Sequence, residues 1–229
     1  MAAPVHVLLS CAVSVDGYLD DASPDRLLLS DEADFDRVDE LRAGCDAVLV
    51  GAGTVRADDP RLEVRSPDRR KDRLDRGLPE TPLKVTLTAG GALDPGARMF
   101  ASGESVVYCA APAAARLRRR LAGVAGAVTV VPTDPGSGLA PVLADLAGRG
   151  VGRLMVEGGG QVLTAFLTAG LADELYLAVA PLFVGDPAAP RAVGAGRFPH
   201  DVSRRMRLVD VRAVGDMAVL HYLLERADG

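Results

Sequence analysis

The sequence predicts an α/β fold: a mixed, mainly parallel sheet flanked by helices, ending in a C-terminal antiparallel hairpin. Three observations predict it. Short apolar, partly β-branched runs recur along the chain, as expected of strands buried on both faces. Helix-like stretches alternate with them through the middle of the chain. Finally, two strand-like runs lie side by side near the end, joined by Gly215-Asp216-Met217.

The first strand covers residues 5–13 and leads into the turn Ser14-Val15-Asp16-Gly17-Tyr18, where Asp-Gly is a common turn pair. Ser30-Asp31-Glu32-Ala33-Asp34 then opens a helix with a cap residue and first-turn acids. Phe35, Val38, Leu41 and Arg42 follow at helical spacing and predict a face turned to the sheet. Residues 47–50 form the second strand and run into Gly51-Ala52-Gly53-Thr54. Beyond lies a polar connection, 55–65, and then 65–80, dense in charge with two prolines and almost no apolar position, which predicts an exposed loop. Strands follow at 83–87, 105–108 and 153–156, with helices at 111–121, 139–146 and 162–167. A second long loop covers 185–199, and the hairpin pairs 207–214 with 218–224. No repeat is visible, and neither loop separates two complete sets of strands and helices, so a single domain over 1–229 is expected.

Composition narrows the function. The 229 residues are 48% hydrophobic and carry a formal charge of -5, with a pI near 5.2. That argues against a protein held to nucleic acid by phosphate contacts. No stretch of about 18 uninterrupted apolar residues suggests a membrane span, and the first ten residues lack a charged segment followed by a long apolar one. Cys11, Cys45 and Cys109 are an odd number at wide spacing, outside any C-x-x-C or zinc pattern. A reducing, cytoplasmic setting fits them, with the thiols as buried small hydrophobes and no metal site. His6, His200 and His221 lie in unrelated segments and form no evident acid–base set.

The chemistry-bearing signals sit where strands end. Leu154-Met155-Val156-Glu157-Gly158-Gly159-Gly160-Gln161 is a buried strand running into three glycines and then an apolar helix. Such a junction is either an anion site, its backbone N–H groups open to a phosphate, or a plain tight turn. Gly51 and Gly53 repeat the pattern at the second strand, on the edge where open α/β sheets bind ligands. Arg56, Arg61 and Arg65 follow, in either a solvated loop or a phosphate-holding one. Asp58 and Asp59 are adjacent acids in an Asp-Asp-Pro turn, read as positioning groups rather than proton donors.

Taken together, Ser14-Val15-Asp16-Gly17, Glu40-Leu41-Arg42-Ala43, the stretch 46–65, Glu157-Gly158-Gly159-Gly160, Gly170-Leu171-Ala172-Asp173-Glu174-Leu175 and Ala180-Pro181 resemble, in order and spacing, the reductase domain of riboflavin biosynthesis. That family is the C-terminal half of the bifunctional deaminase-reductase and has a dihydrofolate-reductase-like fold. The resemblance implies NADPH as cofactor and reduction of 5-amino-6-(5-phosphoribosylamino)uracil to the ribitylamino compound, hydride passing to the ribose C1. It maps cofactor contacts onto Ala12, Thr54, Asp58 and residues 159–165, of which Gly159, Gly160, Gln161 and Val162 open the helix; Gly51, Gly53 and Gly158 join them as the glycines of the two turns. Substrate contacts map onto Arg42, Leu62, Arg65 and Glu157, and a homodimer is implied. No catalytic acid or base is assigned. The segment Ser23-Pro24-Asp25-Arg26-Leu27-Leu28-Leu29 has no Trp where the family often has an aromatic residue. Thr88-Ala89-Gly90-Gly91 has no Arg or Lys to mark a 2′-phosphate, and the deaminase motifs His-x-Glu and Pro-Cys-x-x-Cys are absent. The alternatives are another NADPH reductase of this fold, acting on a pterin such as dihydrofolate, and a nucleotide-binding module without catalysis.

Overall fold

A computed structural model describes residues 3–23 and 27–225; Pro24, Asp25 and Arg26 of the segment lacking Trp lie outside the described residues. In chain order the elements are β1 (His6–Ser14), α1 (Glu32–Ala43), β2 (Ala47–Gly51), α2 (Ala52–Asp58), α3 (Pro67–Asp75), β3 (Leu83–Thr88), β4 (Glu104–Ala110), α4 (Ala111–Leu121), β5 (Ala127–Thr133), α5 (Ala140–Gly148), β6 (Arg153–Val156), α6 (Gly160–Thr168), β7 (Glu174–Ala180), β8 (Arg207–Val214) and β9 (Met217–Leu223). They fall into two compact units, one of residues up to 5 and 39–154, the other of 6–38 and 155 onward.

In the first unit β2, β3, β4 and β5 pair in parallel, Val48 opposite Lys84, Val85 opposite Val106 and Val107 opposite Val130. Every residue of β2 is buried, as a central parallel strand with both faces covered requires. α4 packs on β4 and β5 through Ala113, Ala114, Leu117 and Leu121, at helical spacing, with Arg118, Arg119 and Arg120 in its last turn. The sequence pattern leaves β5 unpredicted. Only Val130 of it is buried, and Pro132, which has no N–H to give, suits an edge strand.

In the second unit β1 and β7 are parallel, Ala12 opposite Ala178, while β9 runs antiparallel to both β7 and β8. The hairpin predicted at the end of the chain is therefore present, and Gly215 takes the positive φ its short turn requires. Ala178, Ala180, Met217 and Val219 form a small core between these strands, flanked by Ala12, Leu29 and Leu182. β8 is the outer strand, with Leu208, Val209 and Val211 each about half exposed.

Three expectations need correction. The charged segment 65–80 is not a loop throughout: Ser66 caps α3 by accepting from Arg69 N, and Pro67 fits its first turn, where no N–H is needed. The fully buried Arg73 anchors that helix by donating to the carbonyls of Pro79, Ala43 and Cys45 at 2.8 Å each. The polar connection 55–65 begins as helix, since α2 extends to Asp58. Phe35, Val38 and Leu41 of α1 are only half-buried, whereas Asp34, Arg37 and Asp39 are buried. Asp34 and Arg37 are buried on this helix because they pair with one another, with Arg37 Nη1 alone of that pair's buried side-chain atoms left without a hydrogen bond. Asp34 accepts from Ser30 Oγ at 2.6 Å and from Arg37 at 2.7 Å.

Candidate active site

In the first unit, β2 passes directly into α2 at Gly51, whose extended backbone caps the helix without a side-chain hydrogen bond. Gly53 is exposed, with open space where a Cβ would stand, and Thr54 is half-buried one residue on. Asp58 ends α2. Its neighbour Asp59 adopts a left-handed conformation, sends its N–H to Val55 O and accepts Arg98 N at 2.7 Å, so Asp59 is a structural cap.

The predicted substrate residues of this unit lie on one segment and the end of one helix. Arg42 Nη1, in the last turn of α1, donates to Glu63 O at 3.2 Å. Leu62 is 1% exposed and has φ 56°, a strained position for a branched residue, so its side chain belongs to the core and only its backbone can face a ligand. The Glu63 carboxylate accepts from the buried Lys84 Nζ at 3.1 Å and from Ser102 Oγ. Burial disfavours its charge, but hydrogen bonds from Ser102 and Lys84 and the charges of Lys84 and Arg61 prevail, holding it below the usual glutamate range. Arg65 is exposed, and its backbone is tied to Asp39.

At the end of β3 the structure supplies what local sequence did not show. Thr88 Oγ1 accepts from Gly91 N at 3.1 Å, forming the turn. Arg116 of α4 reaches Gly90 O at 2.7 Å, and Arg56 of α2 reaches Ala92 O at 3.2 Å. Two exposed guanidinium groups thus flank a turn that contains no basic residue of its own.

In the second unit, Glu157 follows β6 half-buried. Gly158 has φ 111°, open to glycine and little else, and Gly159 caps α6 without a side-chain hydrogen bond. A Cβ on Gly160 would stand 2.3 Å from Arg191 O, so the long loop after β7 closes against this turn. Gln161 is exposed and Val162 half-buried at the start of the helix. Gly194 N donates to Thr164 Oγ1 at 2.8 Å, stitching the loop to α6 a turn further on.

The same loop is stitched to the end of β1. Asp16 accepts from Ser14 Oγ at 2.6 Å, Val184 N at 3.1 Å and Gly185 N at 2.7 Å, and these bonds, led by Ser14, hold its carboxyl down at about 2. Arg191 donates to Asp16 O and Tyr18 OH and lies over the Tyr18 ring, 4.3 Å from its centroid. Ala12 is half-buried two residues before the end of β1. The Ser14-to-Tyr18 turn, the glycine turn and the loop near Arg191 are therefore brought together, while Arg42, Leu62 and Arg65 form a second group in the other unit.

Away from these turns, the start of β1 holds a cluster that spacing gave no sign of. Glu174 lies 2.6 Å from His6 Nε2 and 2.9 Å from His221 Nε2, and Tyr176 stacks on His221 at 4.0 Å. The two histidines read as unrelated in sequence thus share one carboxylate, which ties β1, β7 and β9. Burial, partly countered by Arg37, pushes the Cys11 thiol up to about 12, which leaves it without thiolate character. Among the described residues, no helix is long and apolar enough to cross a membrane.

The profile of the RibD C-terminal domain matches residues 5–220. The 2,5-diamino-6-ribosylamino-4(3H)-pyrimidinone 5′-phosphate reductase of Archaeoglobus fulgidus is 31% identical over 211 residues, 92% of this chain and 94% of that one. Among solved structures, a pyrimidine reductase-like protein of Corynebacterium diphtheriae aligns with TM-score 0.78 at 22% identity, covering 98% of this chain and 93% of its own. Dihydrofolate reductase of Enterococcus faecalis aligns with TM-score 0.54 at 12% identity over 97% and 98% of the two chains, a likeness of fold. With that fold, and with a family match over nearly its whole length, the chain belongs to the RibD C-terminal domain family, the reductases of riboflavin biosynthesis.

Proposed function

We propose that the chain reduces the ribosylamino group of 2,5-diamino-6-ribosylamino-4(3H)-pyrimidinone 5′-phosphate to the ribitylamino product, with NADPH as reductant. The observation that carries this reading is the end-to-end likeness to the Archaeoglobus relative, whose name gives that substrate. The uracil expected from the sequence is the deaminated form of the same compound, and the assay compares the two.

The residues present fit a dinucleotide. Both glycine turns lack side-chain caps, and the space at Gly53 is open, so backbone N–H groups are available to a pyrophosphate. The cofactor contacts would be Thr54, Asp58, Gly51 and Gly53, together with Ala12, Gly158, Gly159, Gly160, Gln161 and Val162. Arg56 and Arg116 would meet the 2′-phosphate that separates NADPH from NADH, as bidentate donors do. When bound, the cofactor supplies a hydride. The chain's own part is positioning. Arg42 and Arg65 would orient the substrate, Arg65 by its phosphate, and Glu157 would accept from its hydroxyl groups.

We also propose a cytoplasmic setting, which the widely spaced free cysteines fit, and a homodimer, which the half-exposed apolar residues of the outer strand β8 support. Light scattering that finds only monomer at working concentration overturns the dimer.

Function is tested by following NADPH oxidation with the diamino substrate, its deaminated form and dihydrofolate. Turnover of the diamino compound, with a KM that rises at least about tenfold in Arg65→Ala, is expected. Preference for the uracil moves the reaction after deamination, and turnover of dihydrofolate alone overturns the reading. Calorimetry with 2′,5′-ADP against 5′-AMP, in the native protein and in Arg56→Ala/Arg116→Ala, tests the 2′-phosphate assignment separately from activity. Equal affinity for the two nucleotides in the native protein overturns it.

A further inference from the structure

We propose that Asp39 is a positioning residue for the substrate phosphate, acting through the backbone of Arg65; this rests on the reading above that Arg65 binds that phosphate. Asp39 lies on α1 and is 3% exposed. Its Oδ1 accepts from Arg65 N at 2.5 Å, and its Oδ2 accepts from Ser66 N at 3.1 Å and from Arg69 Nη1 at 3.0 Å. One buried carboxylate therefore grips two consecutive peptide N–H groups and a guanidinium on a segment 26 residues further along the chain.

A structural role alone does not explain where the grip falls. The segment is already fixed on its other side, because Arg70 Nη1 donates to Val64 O at 3.1 Å and to Arg65 O at 2.9 Å, and Val64 is fully buried. The N–H of Arg65 and its carbonyl are thus held by two different side chains, and its own side chain is exposed. α3 starts directly behind it, and Arg69 in the first turn of that helix is the third group bound to Asp39. Fixing both the backbone and the neighbouring arginine in advance removes ordering cost from anion binding. A carboxylate suits this duty better than an amide, since all three partners are donors and a carboxylate offers only acceptors.

Asp39→Asn tests it, since the amide keeps one acceptor and presents N–H groups to partners that need an acceptor. KM for the phosphorylated substrate should rise about tenfold with kcat within about twofold, while KM for the same pyrimidine bearing a free 5′-hydroxyl stays unchanged. In Arg65→Ala, adding Asp39→Asn should change KM less than about twofold, because the two act as one unit. Arg69→Gln, which leaves the carboxylate in place, should give the same phosphate-selective rise at smaller amplitude and covers the case in which Asp39→Asn folds poorly. Equal shifts for the phosphorylated and unphosphorylated substrates, or full additivity with Arg65→Ala, overturn the proposal. An Arg65→Ala enzyme with normal KM removes the phosphate reading and this inference with it, whereas a raised KM in Arg65→Ala beside a normal one in Asp39→Asn and Arg69→Gln removes this inference alone.

Discussion

Lys84→Met should destabilise the protein and loosen the segment that carries Leu62, Glu63 and Arg65. Lys84 has no exposed surface, and its Nζ lies 3.1 Å from Glu63 Oε1, 3.0 Å from Ser102 O and 3.2 Å from Ser102 Oγ. Breaking a fully buried pair costs about 3–5 kcal/mol. The Glu63 side chain is 27% exposed and keeps Ser102 as a donor, so water and that hydroxyl recover part of the loss. About 2–3 kcal/mol is left, which for a domain of this size lowers Tm by roughly 5–10 °C. The sign of the pH dependence is fixed as well. Glu63 is held below its ordinary range, so its contribution is complete above the unfolded glutamate value and is lost as pH falls through the lower folded one. Lys84→Met should flatten that acid limb, and Glu63→Gln/Lys84→Met should melt above Lys84→Met alone, because the unpaired carboxylate is gone. Scanning calorimetry at several pH values reads all three. A variant melting within a degree of the parent refutes the reasoning, since it would mean that the buried ammonium contributes no more than a methyl-capped chain one atom shorter.

Asp16→Asn should remove a contribution to stability that in the parent is complete above about pH 4 and fades as pH falls toward the folded value of about 2; melts of the two proteins should differ at neutral pH and converge in acid. Tyr108 donates to Asp145 at 2.7 Å, and burial together with that carboxylate raises its phenol above the ordinary range, so native protein and Tyr108→Phe should show the same phenolate absorbance change up to about pH 11. A smaller change in the variant would count against the buried hydrogen bond. Gly160→Ala should cost about 1–3 kcal/mol in urea unfolding because its Cβ meets Arg191 O, while Gly53→Ala, with open space and a helical position, should be neutral or stabilising by about 0.4–1 kcal/mol. Equal stability of the two alanine variants would contradict the close packing of the loop on the glycine turn.

Most of the strands were legible because burial on both faces writes itself into composition; β7, of which Leu175, Tyr176, Leu177 and Val179 are only half-buried, was not. Ala47–Gly51 and Leu83–Thr88 can hardly be anything else, whereas β5, exposed and interrupted by Pro132, leaves almost no apolar trace. α3 was hidden for the opposite reason. Its sequence PDRRKDRLD contains one leucine, which is itself half exposed, and the helix rests on a Ser66 cap, on Lys71–Asp75 and Asp72–Arg76 pairs and on a single buried arginine. No reading by apolar periodicity can find a helix whose anchor is charged.

The candidate site divides along the same line. Glycine turns at strand ends are local, three or four residues long, and the chain states them outright at Gly51 and Gly158. What holds those turns and orients the arginines near them is not local: Asp39 and Arg65 are 26 residues apart, Gly90 and Arg116 also 26, Thr164 and Gly194 30. Arg73 shows why such contacts escape a pattern of apolar and polar letters. An arginine is written as a surface residue, yet three carbonyl groups, from Pro79, Ala43 and Cys45, converge where α3 meets the end of α1. Left unpaired, the three together would cost several kcal/mol, which offsets the desolvation of the one guanidinium they share, because its fork of donors satisfies several acceptors at once. Whether an arginine is core or surface is thus decided by the carbonyls the fold leaves without partners, a property of the assembled backbone that no window of sequence contains.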